Sequence, residues 1–268
     1  MKAIDYDVND LLRVMERLRD PDGGCPWDLK QDFESIVPST LEECYELAAA
    51  LEAGDFEHAA DELGDVLFQV VFYAQLGRER ELFSFPEIVH GLTDKLLRRH
   101  PHVFANGEIE GRVKACGDSA SVQQQWEEIK AGERAERAQH GALDDVPLAL
   151  PALPRAQKLQ KRAARVGFDW DNTQAVLLKL EEELQELREA LADGYPAAVE
   201  EELGDLLFTA VNLSRHLNLD AETTLRKGNA KFEDRFRAME QEARERGEQL
   251  QSMAPAALEL LWEHAKSR

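Results

Sequence analysis

Residues Leu41–Phe72 read LEECYELAAALEAGDFEHAADELGDVLFQVVF, and their spacing describes two helices joined by a tight turn at Gly54-Asp55. The first carries Glu42, Glu43 and Glu46; the second carries Glu62 and Asp65. Glu46 lies 8 residues before Gly54 and Glu62 lies 8 after it, while Glu43 and Asp65 lie 11 before and 11 after. At a rise of about 1.5 Å per residue the inner pair sits roughly 12 Å up the hairpin. Residues three apart share a helix face, so antiparallel packing gathers four carboxylates at one level. Like charges so placed oppose ionisation or folding unless a cation compensates them. Carboxylate oxygens are hard ligands, and Mg²⁺, or else Mn²⁺, matches such a set completed by water and phosphate. A solvated acidic face is the competing reading for a single motif of this kind in an acidic chain.

A second copy tips the balance toward a metal. Residues 180–212 read LEEELQELREALADGYPAAVEEELGDLLFTAVN. Here Glu182, Glu183, Glu186, Gly194, Glu202 and Asp205 each stand 140 residues after Glu42, Glu43, Glu46, Gly54, Glu62 and Asp65. A random acidic surface has no reason to hold four carboxylates in register with a turn glycine twice. Lys95 and Arg99 recur as Lys231 and Arg235, and Trp126 recurs as Trp262, all at 136; Trp27-Asp28 recurs as Trp170-Asp171 at 143. The offsets change only between elements, as in an internal duplication with loop insertions.

The chain of 268 residues is long enough for two ordinary domains. With 53 acidic and 32 basic residues its net charge is −21, which argues against nucleic acid or an anionic membrane as the main partner. Cys25, Cys44 and Cys116 are odd in number and lack metal-site spacing, so reduced thiols in a cytosolic protein are expected. The N-terminal stretch has no apolar signal core, and no run reaches membrane-spanning length.

Strand patterning is absent, so the fold is expected to be all-α, two tandem helical-bundle repeats. Helices are expected over Val8–Arg19, Phe85–Arg99, Val122–Gln139, Glu222–Arg246 and Pro255–Lys266, besides the two hairpins. Ser39 or Thr40 is expected to cap the first carboxylate helix, and Asn106–Ser121 to form a loop. Pro147, Pro151 and Pro154 mark a linker at 141–154 between domains 1–140 and 155–268.

Lys231 and Arg235, four apart on one helical face, suit phosphate oxygens, although a surface ion pair reads equally well in isolation. Trp262 suits stacking on a ring or packing in a core. Asp65 and Asp205 stand where a di-iron bundle would place histidine, so an oxygen-only, non-redox metal fits better. No Walker loop or nucleophilic Ser or Cys motif is present. Metal-assisted hydrolysis of a phosphoanhydride is the chemistry these groups suit.

The paired ExxE and ExxD, the two GD-(L/V)-LF segments, CPWD and GFDWD resemble the MazG family of all-α nucleoside triphosphate pyrophosphohydrolases over nearly the whole chain. That resemblance implies cleavage of ribo- and deoxynucleoside triphosphates, ATP among them, to monophosphate and pyrophosphate. It also implies Mg²⁺ dependence and a homodimer whose helices pack across subunits. It implies metal binding by Glu183, Glu186, Glu202 and Asp205, and a role for Glu182 in orienting or deprotonating water. Substrate contacts are implied at Lys179, Lys231, Arg235 and Trp262. Glu43, Glu46, Glu62 and Asp65 form the second copy of the metal set.

The halves differ. Lys179 stands at the position of Ser39, and Asn212 at that of Phe72. The second half therefore has an extra cation and an amide, and its buried helix carries a polar stripe of Glu202, Asp205, Thr209, Asn212 and His216. Such a stripe is costly unless something occupies it, which points to the C-terminal half as the working site and to Asn212 as a substrate contact. A nucleotide-sensing module without turnover and a purely structural acidic dimer are the competing readings.

Overall fold

The computed structural model describes residues 6–113, 122, 125, 126, 129, 132, 133, 141–144 and 146–267. Cys116, residues 114–121 of the expected loop, and most of the expected helix over 122–139 lie outside these residues. Among the described residues Cys25 and Cys44 are free thiols. Regular structure there is helical: α1 (Val8–Leu18), α2 (Val37–Ala53), α3 (Phe56–Glu79), α4 (Phe85–Arg99), α5 (Ala152–Ala164), α6 (Thr173–Asp193), α7 (Pro196–His216), α8 (Ala221–Glu245) and α9 (Pro255–Lys266). None of these is long and apolar enough to cross a membrane.

The chain divides into two compact units, Met1–Ala131 and Gly132–Arg268. In the first, α3 is the middle helix, with α1, α2 and α4 against it. Met15, Ile36, Val71, Phe72 and Leu76 form its core. Arg19 is buried beside them, its guanidinium forked onto Glu79 at 2.8 and 2.6 Å and 5.3 Å above the Phe72 ring. In the second unit α7 takes the middle place, against α5, α6 and α8, and α9 folds back on α8. Met239, Ala243, Leu261 and Ala265 form the core of that α8–α9 pair.

The repeat read from the sequence governs the helix boundaries. α3 and α7 begin at Phe56 and Pro196, 140 apart; α4 and α8 begin at Phe85 and Ala221, 136 apart. Gly54 and Gly194 end α2 and α6 in the left-handed region, at φ of 72° and 73°, where a side chain would be strained. One expectation fails. Ser39 and Thr40 do not cap α2, which begins at Val37 with Pro38 in its first turn. Proline suits a first helical turn because its missing N–H has no partner there anyway. Thr40 instead donates to the Ile36 carbonyl at 3.0 Å, inside the helix. The matching helix does start on a side-chain cap, Asn172 accepting from the Ala175 N–H at 3.0 Å.

Candidate active site

The α6–α7 hairpin gathers Glu183, Glu186 and Glu202, with one carboxylate oxygen of each within 4.8 Å of the others. The register follows from the turn: Gly194 lets the chain reverse, and equal counts of residues on either side bring the acids to one level. Lys179 sits one turn before Glu183. Its Nζ donates to Glu182 at 2.7 Å and stands 2.9 Å from Glu183 and 3.9 Å from Glu186. The hydrogen bonds to Glu182 and Glu183 hold this ammonium well above the usual lysine pKa range. Desolvation raises the Glu186 carboxyl, and Glu183 and Glu202 add to that rise against the pull of Lys179. An all-oxygen donor set whose members disfavour one another's charge fits a hard divalent cation.

Beside the carboxylates lies a cavity of about 620 Å³, with Lys179, Glu183 and Asp205 on its polar side and Leu159, Ala163 and Phe208 among its apolar walls. Thr209 and Asn212, one and two turns along α7 from Asp205, are buried and reach the same cavity. Of the polar stripe expected on this helix, Asp205, Thr209 and Asn212 thus line a space that a ligand can fill, while Glu202 and His216 do not line it.

A second polar group closes the cavity. Arg215 Nη1 donates to Asp169 at 2.9 Å, Nη2 donates to both Asp169 and Asn212, and Nε reaches Asn212 Oδ1 at 3.1 Å. His216 Nε2 lies 3.0 Å from the same Asp169. Burial pushes the Asp169 carboxyl up, but hydrogen bonds from Arg215 and His216 outweigh it and bring its pKa down to about 2. His216 thus pairs with Asp169, and sequence reasoning did not single out Asp169 or Arg215. The signal available beforehand was the polar stripe running on to His216; nothing local pointed to a partner 46 residues upstream.

The α2–α3 hairpin repeats the acidic geometry. Glu43, Glu46 and Glu62 also meet within 4.8 Å. Desolvation raises the Glu43 carboxyl, with Asp65, Glu46 and Glu62 adding to it. Glu62 is buried: Oε1 lies 3.1 Å from His58 Nε2, and Oε2 has no hydrogen-bond partner among the described residues. Where the second hairpin has Lys179, Asn212 and His216, this one has Ser39 and the fully buried Phe72 and Leu76.

Lys231, Arg235 and Trp262 do not line the cavity. They belong to the α8–α9 pair, where Arg235 lies 6.0 Å from the Trp262 ring centroid and Phe232 lies 5.4 Å from it. Within one chain the structure thus clusters Glu183, Glu186 and Glu202 around Lys179, sets Asp205 and Asn212 on the adjoining cavity rather than in that cluster, and leaves this basic and aromatic group outside it.

The MazG nucleotide pyrophosphohydrolase domain matches the chain twice, over residues 31–104 and 171–239, each match containing one acidic hairpin. The chain is 49% identical over 263 residues to a nucleoside triphosphate pyrophosphohydrolase of Escherichia coli K12, covering 97% of both proteins. It is 44% identical over 267 residues to the nucleoside triphosphate pyrophosphohydrolase/pyrophosphatase MazG of Thermotoga maritima, covering 99% of this chain and 98% of that one. It is also 37% identical over 266 residues to the Bacillus subtilis protein YabN, of which it spans 53%. Two matched domains in tandem and relatives aligned from end to end agree: the chain belongs to the MazG nucleotide pyrophosphohydrolase family.

Proposed function

We propose that this chain hydrolyses nucleoside triphosphates, ribo- or deoxyribo-, to the monophosphate and pyrophosphate, in the cytosol and with Mg²⁺ held by Glu183, Glu186, Glu202 and Asp205. The observation that carries the reading is the meeting of three carboxylates within 4.8 Å beside a cavity that also presents Lys179 and Asp205. Bound there, Mg²⁺ would neutralise phosphate charge and make an attacking water more acidic. Glu182, exposed and hydrogen-bonded to Lys179, would be the base that takes a proton from water attacking there. Lys179 supplies a cation to the phosphate chain, and the apolar walls keep bulk water from the reacting bond. The net charge of −21 supports a small phosphate ligand delivered with metal over nucleic acid or a membrane surface.

The working domain in this reading is 155–268, joined through 141–154 to a domain 1–140 with a weaker or structural site. A homodimer is part of the proposal. Leu203, Leu207 and Leu191 of the C-terminal hairpin are exposed in the single chain, Leu207 by 56%. Apolar side chains so placed favour a covering subunit. Lys231, Arg235 and Trp262 then reach the phosphates from the partner.

Glu202→Gln and Glu62→Gln, each assayed for nucleotide consumption and pyrophosphate release with Mg²⁺, test the assignment. Glu202→Gln is expected to lose about a hundredfold or more in kcat, as loss of transition-state charge stabilisation does, and Glu62→Gln to retain most activity. An active Glu202→Gln protein with a dead Glu62→Gln protein reverses the roles of the domains. Binding of nucleotide without any product in the wild type makes the chain a sensor instead.

A further inference from the structure

Arg215 spends its guanidinium on the protein itself. Nη1 donates to Asp169 at 2.9 Å, Nη2 donates to Asp169 and, at 2.7 Å, to Asn212 Oδ1, and Nε donates to the same Oδ1 at 3.1 Å. His216 Nε2 lies 3.0 Å from Asp169. An amide has an accepting end and a donating end, whereas a guanidinium only donates. Two bonds from Arg215 therefore hold the Asn212 side chain with Oδ1 toward the guanidinium and the N–H groups of Nδ2 away from it. Nδ2 has no hydrogen-bond partner among the described residues, yet it is not one of the unpaired polar atoms sealed from solvent there. The surface it keeps is on the cavity that Asn212 lines.

The internal repeat separates this network from the needs of the fold. The acids recur between the halves and α3 and α7 begin 140 residues apart, but the counterparts of Asn212, Arg215 and His216 are Phe72, Gln75 and Leu76. Where Trp27 matches Trp170, Pro26 stands at the position of Asp169. The same hairpin thus forms without any of these groups, and the network goes with the cavity it lines. Asn212 is seven residues beyond Asp205 on α7, about 10 Å along the helix axis. Phosphates belong with the carboxylates and Lys179, so a substrate atom that meets Nδ2 lies on the nucleoside end. It is an acceptor: a carbonyl oxygen or ring nitrogen of the base, or an oxygen of the sugar. We propose that Asn212 donates a hydrogen bond to such an acceptor, and that Arg215, braced by Asp169, is the positioning residue that keeps this donor turned toward the substrate. The assignment rests on the triphosphate reading above and adds to it the means by which the nucleoside is recognised.

The test reads one ratio in each protein: kcat/KM for the best of ATP, GTP, CTP and UTP over kcat/KM for methyl triphosphate, which has the phosphates but neither base nor sugar. Asn212→Asp is isosteric and still accepts from Arg215, but its other end turns from donor to acceptor. The ratio is expected to fall about tenfold or more, since a site built around a substrate hydrogen bond discriminates strongly once the pairing is lost. Arg215→Met frees the amide to turn over and should lower the ratio about threefold or more. Arg215→Gln, which both donates and accepts and so no longer fixes the amide, replaces it should the first variant fail to fold. In the Asn212→Leu background neither change at Arg215 should lower the ratio further, because a residue that acts through Asn212 has nothing left to position. Ribose 5-triphosphate separates the two sources of the acceptor. If Asn212→Asp lowers its rate relative to methyl triphosphate, the acceptor is on the sugar; if only whole nucleotides suffer, it is on the base. A ratio unchanged in Asn212→Asp overturns the proposal, and so does a fall on changing Arg215 that is as large in the Asn212→Leu background as in the wild type. Either result leaves the phosphoanhydride chemistry standing, whereas a wild type that releases no pyrophosphate from any of these compounds refutes the triphosphate reading itself.

Discussion

Lys179 and Ser39 occupy one position of the repeat and give the two acidic clusters different electrostatics. The ammonium of Lys179 lies among Glu182, Glu183 and Glu186 and sets a cation of the protein's own beside the C-terminal carboxylates. The N-terminal cluster has no such neighbour on α2, and desolvation and the acids around it raise the Glu43 carboxyl. Asp169 shows what a single well-paired acid is worth. Its pKa falls from an ordinary 3.8 to about 2 because Arg215 and His216 bind the charged form. A lowered folded-state pKa adds stability that is fully present above pH 3.8 and drains away as pH falls toward 2. At neutral pH the contribution is at most about 2 kcal/mol, since the carboxylate is partly in solvent. Asp169→Asn should therefore destabilise the protein more at pH 6 than at pH 3, read as the difference in unfolding free energy from denaturant titrations. An equal loss at both values would mean that the pair is held by packing and not by charge.

At the scale of elements, the hairpins were legible because everything that defines them is local. Apolar periodicity, a turn glycine and acids counted out from it set the helices, their reversal and the level of the carboxylates within about thirty residues. Their recurrence at a constant offset then marked them as functional. The cavity was not legible for the opposite reason. Gln160 meets Phe208 across 48 residues, and Arg215 meets Asp169 across 46; only the packing of α5 and the GFDWD loop onto α7 creates these pairs. The capping of α2 was misread because Ser39 and Thr40 are good caps by type, while Pro38 had already begun the helix. Gly77 makes the same point for stability. Read alone, a glycine inside α3 invites alanine, which is better in a helix by about 1 kcal/mol. In the fold, a Cβ there would lie 2.5 Å from the Phe83 ring and 2.7 Å from the Phe83 carbonyl oxygen. Gly77→Ala should therefore lower stability by about 1–3 kcal/mol, the usual cost of overpacking, seen as a lower midpoint in thermal melts. A rise in the midpoint would show that the 80–84 turn yields at little cost.

At the scale of the molecule, the site as one chain presents it is chemically incomplete: acids, Lys179 and a cavity on α5–α7, and the other expected phosphate ligands on α8–α9 outside that cavity. The proposed homodimer, with α8 and α9 of one subunit reaching the hairpin of the other, would resolve this and would cover Leu203 and Leu207, which are exposed in the single chain. The arrangement has a consequence that a site assembled within one chain lacks. Glu202→Gln removes a carboxylate and Arg235→Ala removes a cation; each homodimer carries two damaged sites. In a mixed dimer with sites shared across the interface, one site collects both lesions and the other collects none. Co-expression at equal levels makes half of the dimers mixed, and in the purified mixed dimer activity should return to roughly half of wild type, one intact site of two, by the counting of a two-fold symmetric pair. The measurement is pyrophosphate release by the doubly tagged, co-purified species against each parent. Activity no higher than the parents' would place Arg235 in the same subunit as the carboxylates it serves, or outside the site altogether. Recovery would make the dimer a condition of catalysis, because α8 and α9 have no phosphate to bind until a second chain brings its hairpin to them.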